Sequence, residues 1–220
     1  SAQTAYGHND YEIPENGGIL SCPHKSLSTN DGSVLALSNL NKNLLFKYRK
    51  LKREKNFSLI KSKSRTLLNS NELNSEKKGI LLSKKLEENW QSFPPKKISI
   101  KSYKKFRKID PISHKIERRN NYKYLYNFMK KNFYHIKYLR LGTPFGYPVL
   151  TKKRNKLIRL LHKERIFATK LWFNNPYINN KYPMALKFKK EFLAFPLDQR
   201  YNRRDLDVMK KKITIVLKKI

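Results

Sequence analysis

Hydrophobic spacing is clearest in the second half of the chain. Asp110-Pro111 opens a helix that runs to about Asn132, proline being suited to a first helical turn. Ile112, Ile116, Leu125, Phe128 and Met129 fall near one face, with Arg118, Arg119 and Lys123 opposite. Gly146 to Leu150 has the pattern of a strand. A helix over about Lys152–Lys163 buries Leu157, Leu160 and Leu161, and Ile166–Trp172 reads as a second strand. Asn174–Pro183 is a polar loop, and Glu191–Phe195 is a third strand. The last helix starts at Asn202, with Asp205 three residues on as a reciprocal cap and Leu206, Met209, Ile213, Val216, Leu217 and Ile220 as its stripe. Together these predict a compact α/β unit over residues 110–220.

The first half is less periodic. Ser1 to Gly7 is small and polar, suited to a turn under a ligand, and Asn9–Gly18 is a loop broken by Pro14 and Gly17-Gly18. Ile19-Leu20 and Val34–Leu37 are two short apolar runs, read as strands on either side of a loop. From about Asn39 to Trp90 the pattern weakens. Phe46–Lys55 is a basic stretch, Asn69–Lys78 a polar loop, and Leu81–Trp90 a short amphipathic helix. Gln91–Lys97, with Pro94-Pro95, is a linker. No internal repeat is present.

Candidate chemistry lies in the loop between the two short runs, at Ser21-Cys22-Pro23-His24-Lys25. Lys25 is the only Lys or Arg in the first forty residues of a chain that carries fifty. An amine held at a loop and partly desolvated can lose its proton, the condition for Schiff-base lysines. The alternative is a solvated turn lysine. His24 beside it serves as a local hydrogen-bond partner.

Composition adds a strong charge. The net charge is +34, yet residues 1–40 sum to −3, so the remainder carries +37. Such a field attracts polyanions, making a basic nucleic-acid-binding or ribosome-associated protein an alternative function. Compositional drift is the other source, since Lys, Asn, Ile, Tyr and Phe are all heavily used. No zinc finger, RNP motif or Walker-type loop occurs. No run is long and apolar enough for a membrane span. The lone Cys22 excludes an intrachain disulfide and favours a reducing, cytoplasmic setting; no metal site is expected. The chain begins at Ser1 without Met, as a processed chain or a fragment would.

Four stretches in order resemble the DegT/StrS family of sugar aminotransferases, of the pyridoxal-phosphate fold type I. They are Ser1–Gly7; Ser21–Lys25 with Asp31-Gly32-Ser33-Val34-Leu35; Lys108-Ile109-Asp110 through Glu117–Tyr122 to Leu125; and Tyr147–Leu150 with Arg154, Leu161, Ile166-Phe167 and Trp172, then Phe195–Tyr201 and Asp205. The resemblance covers about two-thirds of the chain, residues 40–105 adding almost nothing. It implies an α/β protein: residues 1–105 a partial large domain of a fold type I transferase, with a variable basic stretch, and residues 106–220 a small C-terminal α/β domain.

The resemblance also implies a chemistry. Lys25 would anchor pyridoxal phosphate and later move a proton between substrate carbons. Gln3 would sit beside the cofactor ring, and Ser21 would contact the phosphate. The family's Asp partner of the pyridine nitrogen would fall just before Ser1. The implied reaction moves an amino group, from glutamate, to a nucleotide-linked keto-sugar, in a homodimer. Several features depart from the family. Ser21 is four residues before Lys25, where five is usual; Asn30-Asp31-Gly32-Ser33 replaces a glycine-rich turn; the Gly-x-Asn-x-Arg segment is missing; and Leu171 stands where a His is usual. These fit a divergent branch, or a catalytically inactive remnant. Asp198, Gln199 and Arg200 read as residues that tie a turn, and Arg118, Arg119, Asn120 and Tyr122 as packing or capping residues.

Overall fold

The short apolar runs at the start form strands as expected, and the two strands pair. β1 (Gly18–Ser21) and β2 (Val34–Leu37) form an antiparallel hairpin in the register Gly18↔Leu37 to Ser21↔Val34. The structure, a computed structural model, describes residues 18–21, 31–39, 42–53, 55–70, 72–89, 96–135, 143–170 and 182–220. Two units divide the chain, Ser1–Ile109 and Asp110–Ile220.

In the first unit the hairpin is followed by four helices: α1 (Lys42–Lys50), α2 (Asn56–Leu68), α3 (Leu73–Asn89) and α4 (Ile100–Arg107). Three of these had no sequence expectation, while α3 contains the expected helix and overturns the loop before it. It begins inside the expected polar loop at Asn69–Lys78, eight residues before the helix expected at Leu81–Trp90, and ends at Asn89 within that span. The reason is the seam between α2 and α3, which is made by small residues and not by an apolar stripe. Ser64 Oγ donates to the Gly79 carbonyl at 2.8 Å and lies 2.6 Å from Ser83 Oγ. A Cβ on Gly79 would come within 2.9 Å of Leu68 Cγ and 3.0 Å of the Ser64 carbonyl oxygen. Glycine and serine let two backbones approach while satisfying each other's polar groups, a pairing that hydrophobic periodicity does not register.

The second unit contains α5 (Pro111–Asn132), β3 (Tyr134–His135), β4 (Tyr147–Leu150), α6 (Arg154–Lys163), α7 (Pro183–Glu191), β5 (Phe192–Phe195) and α8 (Arg203–Leu217). Its antiparallel sheet has the order β3-β4-β5. Leu125 and Met129 of α5, Leu157 and Leu161 of α6, and Leu206 and Ile213 of α8 pack with Tyr147, Val149, Leu193 and Phe195 of the sheet. Rings reinforce the join, Tyr122 stacking on Tyr147 with centroids 4.5 Å apart.

The N-termini of both long helices follow their sequence signals. Asp110 caps α5, its carboxylate accepting from the Ile112 amide at 2.9 Å. Asn202 and Asp205 close a reciprocal capping box on α8. Two expectations are corrected. Ile166 to Lys170 makes no strand and contributes a single bridge, Thr169 to Ala194; Leu171 and Trp172 lie outside the described residues. On α5 the expected faces are partly inverted. Ile112 and Ile116 are exposed, whereas Arg118 is only 4% exposed and Asn121 5%. The buried face follows 118, 121, 122, 125 and 129 because polar groups of the 197–201 turn require donors there.

Candidate active site

The hairpin brackets the segment that carries Lys25. Gly18, Ile19, Leu20 and Ser21 run out along β1, and the chain returns through Asp31 and Gly32 into β2. The return is fastened. Asp31 is 8% exposed and its two carboxylate oxygens accept from the Ser99 amide (2.7 Å) and the Ser99 hydroxyl (2.8 Å). Ser99 Oγ also lies 3.2 Å from Ser58 Oγ, and it caps α4 by accepting from the Ser102 amide at 3.2 Å. One buried serine thus gives two donors to the carboxylate and is itself held by Ser58 and Ser102, which meets the requirement that a buried charge be hydrogen-bonded.

Gly32 follows with φ at +108°, a backbone region that side chains resist. A Cβ there would stand 2.4 Å from Ile98 Cδ1. The Asp-Gly pair is therefore required on two counts: the aspartate clamps the segment, and the glycine lets it turn against Ile98.

Lys25 and Gln3 lie outside the described residues. Ser21 ends β1 opposite Val34, and its side chain is likewise outside the described set. Asp31 and Ser99 were missed as a functional pair by sequence reasoning. The Asp-Gly turn was visible, but its partner stands 68 positions away and no local pattern marks it.

A second polar cluster occupies the other unit. Arg118 Nε donates to Gln199 Oε1 at 2.7 Å, and Nη1 donates to the Pro144 carbonyl at 3.1 Å. Asn121 Nδ2 reaches the carbonyls of Leu197 (3.2 Å), Asp198 (3.0 Å) and Tyr201 (3.1 Å). Arg200 binds the Asp198 carboxylate through two guanidinium nitrogens, at 2.8 and 2.7 Å, and through its own amide at 3.0 Å. Asp198 and Arg200 thus hold a turn, and Gln199 ties it to Arg118, as expected of these residues.

Electrostatics agree with a structural cluster. Burial works to raise the Asp198 carboxyl, but hydrogen bonds from Arg200 and the nearby Arg118 guanidinium outweigh it, leaving it below its ordinary value. Burial lowers Arg118, and burial followed by the Arg118 charge lowers His114. Burial raises the Tyr147 phenol, with Tyr122 adding to the effect. Among the described residues no group of His, Cys, Asp and Glu could hold a metal ion, and no helix is long and apolar enough to cross a membrane.

No family model matches the chain, and no curated protein matches it. Solved structures do. Spr1654 from Streptococcus pneumoniae, assigned as a sugar aminotransferase, superposes in its PMP form on 100% of this chain and 58% of its own, at 14% identity and TM-score 0.59. Its apo form matches 97% of this chain and 54% of its own, at 14% identity and TM-score 0.56. A DegT DnrJ EryC1 StrS aminotransferase from Brucella abortus covers 90% of this chain and 49% of its own, at 10% identity and TM-score 0.48. This chain accordingly has the fold of the sugar aminotransferase structures it matches, over little more than half their length.

Proposed function

We propose that this chain is the C-terminal portion of a pyridoxal-phosphate-dependent aminotransferase of the DegT/StrS kind. It transfers an amino group, from glutamate, to a nucleotide-linked keto-sugar. The observation that carries the reading is the shared fold over the whole chain, with the sole lysine of residues 1–40 falling between the two strands of the hairpin.

The stretch fits the cofactor's needs. A cofactor-anchoring amine requires a segment fixed at both ends, and residues 22–33 begin at the Ser21↔Val34 pair and return through the Asp31–Ser99 clamp. The side-chain types also fit: an amine for the aldehyde, a Gln3 amide for the phenolic oxygen and a Ser21 hydroxyl for the phosphate. When bound, pyridoxal phosphate supplies an electron-withdrawing ring that stabilises negative charge on the carbon bearing the amino group.

In this reading Lys25 would anchor the cofactor. Its amine, once released, takes the proton from one carbon and returns it to another, a general base and then a general acid. Gln3 orients the ring, and Ser21 donates to the phosphate. The complete protein works as a cytoplasmic homodimer with sites at the subunit interface.

The test uses the chain together with whatever precedes it in its gene. With pyridoxal phosphate added, a visible absorption band is expected, and borohydride should fix the cofactor to the peptide containing Lys25. A well-folded protein that gives no adduct, or one modified equally after Lys25→Ala, overturns the proposal.

A further inference from the structure

A different surface of the first unit carries an independent reading. Residues 42–53 hold six Lys or Arg and residues 96–108 hold seven, with no Asp or Glu in either run. The two runs are joined by a parallel bridge between Arg53 and Lys97. The Lys97 amide donates to the Lys52 carbonyl at 2.9 Å, its ammonium donates to the Arg49 carbonyl at 2.6 Å, and Arg53 Nη1 donates to the Ile98 carbonyl at 3.1 Å. α1 and α4 therefore flank one fixed strip of backbone. Ser99, next in the chain after Ile98, is fixed by Asp31.

Aromatic rings stand among these charges. Phe46 is 58% exposed, Tyr48 51% and Tyr103 46%. Lys50 lies over the Phe46 ring at 4.1 Å, and Lys97 lies 5.6 Å from the Tyr48 centroid. An exposed ring with a cation beside it offers a π-face for a base and a charge for the adjoining phosphate.

From this juxtaposition we infer that the surface of α1, the Arg53–Lys97 bridge and α4 binds a single-stranded polynucleotide. A helix that lies on a membrane needs one apolar and one charged face. Phe46 and Tyr48 are two residues apart, on opposite sides of α1, and Lys47, Arg49 and Lys50 stand exposed between and beside them. Rings and charges alternate around the helix, an arrangement suited to a flexible strand and not to a flat bilayer. Phosphates and unstacked bases are common to RNA and DNA, so both belong to the inference.

Fluorescence anisotropy of the full chain with labelled oligo-U and oligo-dT of about 20 nucleotides tests it. If about four phosphates are neutralised, affinity should fall roughly 50-fold between about 50 and 200 mM salt. Lys47→Glu, Lys50→Glu and Lys104→Glu combined should weaken binding by about tenfold or more. An equal charge change at exposed positions of the other unit, Lys156→Glu, Arg159→Glu and Lys211→Glu, should cost about twofold or less. Phe46→Ala with Tyr103→Ala should cost about fivefold or more, retained at high salt. Circular dichroism verifies that each variant is folded. Equal binding of the two polymers, or preference for either, supports the inference and identifies the partner. Equal losses from the two charge sets would reduce the binding to net charge and overturn it. So would capture by anionic vesicles that oligonucleotide does not compete away.

Discussion

Ser99 gives both its amide and its hydroxyl to the carboxylate of Asp31, 68 residues earlier in the chain. One buried side chain thereby closes the segment returning to β2 and fixes the start of α4. Replacing it leaves two buried donors unpaired. Asp31→Ala should lower the stability of the first unit by about 2–3 kcal/mol. Urea denaturation measures it, and Ser99→Ala should lose a comparable amount, because it keeps the amide bond to Asp31 but gives up the hydroxyl bond and the cap of α4.

Asn121 is the corresponding fastener of the second unit. Its amide faces three carbonyls, of Leu197, Asp198 and Tyr201, with two protons to share among them. Asn121→Ala should cost about 2 kcal/mol, and Asn121→Asp more, since a carboxylate would set its lone pairs and charge against three carbonyl oxygens. The order of the two variants in thermal denaturation is the measurement. Equal losses would mean that the missing amide donor, and not the added charge, sets the cost.

Acid should weaken the second unit in two steps. His114 has a lowered folded value, from burial and then Arg118, partly offset by Asp110 and Asp198. The unfolded chain therefore takes up the proton first, and stability falls as pH drops below 6.5. Asp198 is also lowered in the fold, so its contribution is complete above 3.8 and is lost as pH falls through the folded value. Denaturation followed against pH should show both limbs. His114→Gln should remove the upper limb and leave the lower one.

The sequence was most readable where apolar residues carry the packing. β4, α6, α8 and the span of α5 all have core residues at regular intervals, and the caps at Asp110 and Asn202 are local signals. It was least readable where polar groups decide. Spacing puts Arg118 on the charged side of α5, while its reading as a packing residue is the one that holds, with Gln199 and Pro144 receiving it inside. The pairing of α2 with α3 through Ser64, Gly79 and Ser83 left no apolar stripe to find. At the candidate site, the Asp-Gly turn and the flanking strands were legible from spacing. The clamp on Ser99 was not, since a contact across 68 residues has no local trace.

The three carbonyls gathered by Asn121 also constrain how this chain can vary through evolution. Adding or deleting one amino acid between Leu197 and Tyr201 would swing at least one acceptor out of range, leaving a polar atom stranded beneath α5. Length changes among descendants of this gene should therefore accumulate elsewhere, and the spacing from Leu197 to Tyr201 should stay constant even where the letters around it are rewritten.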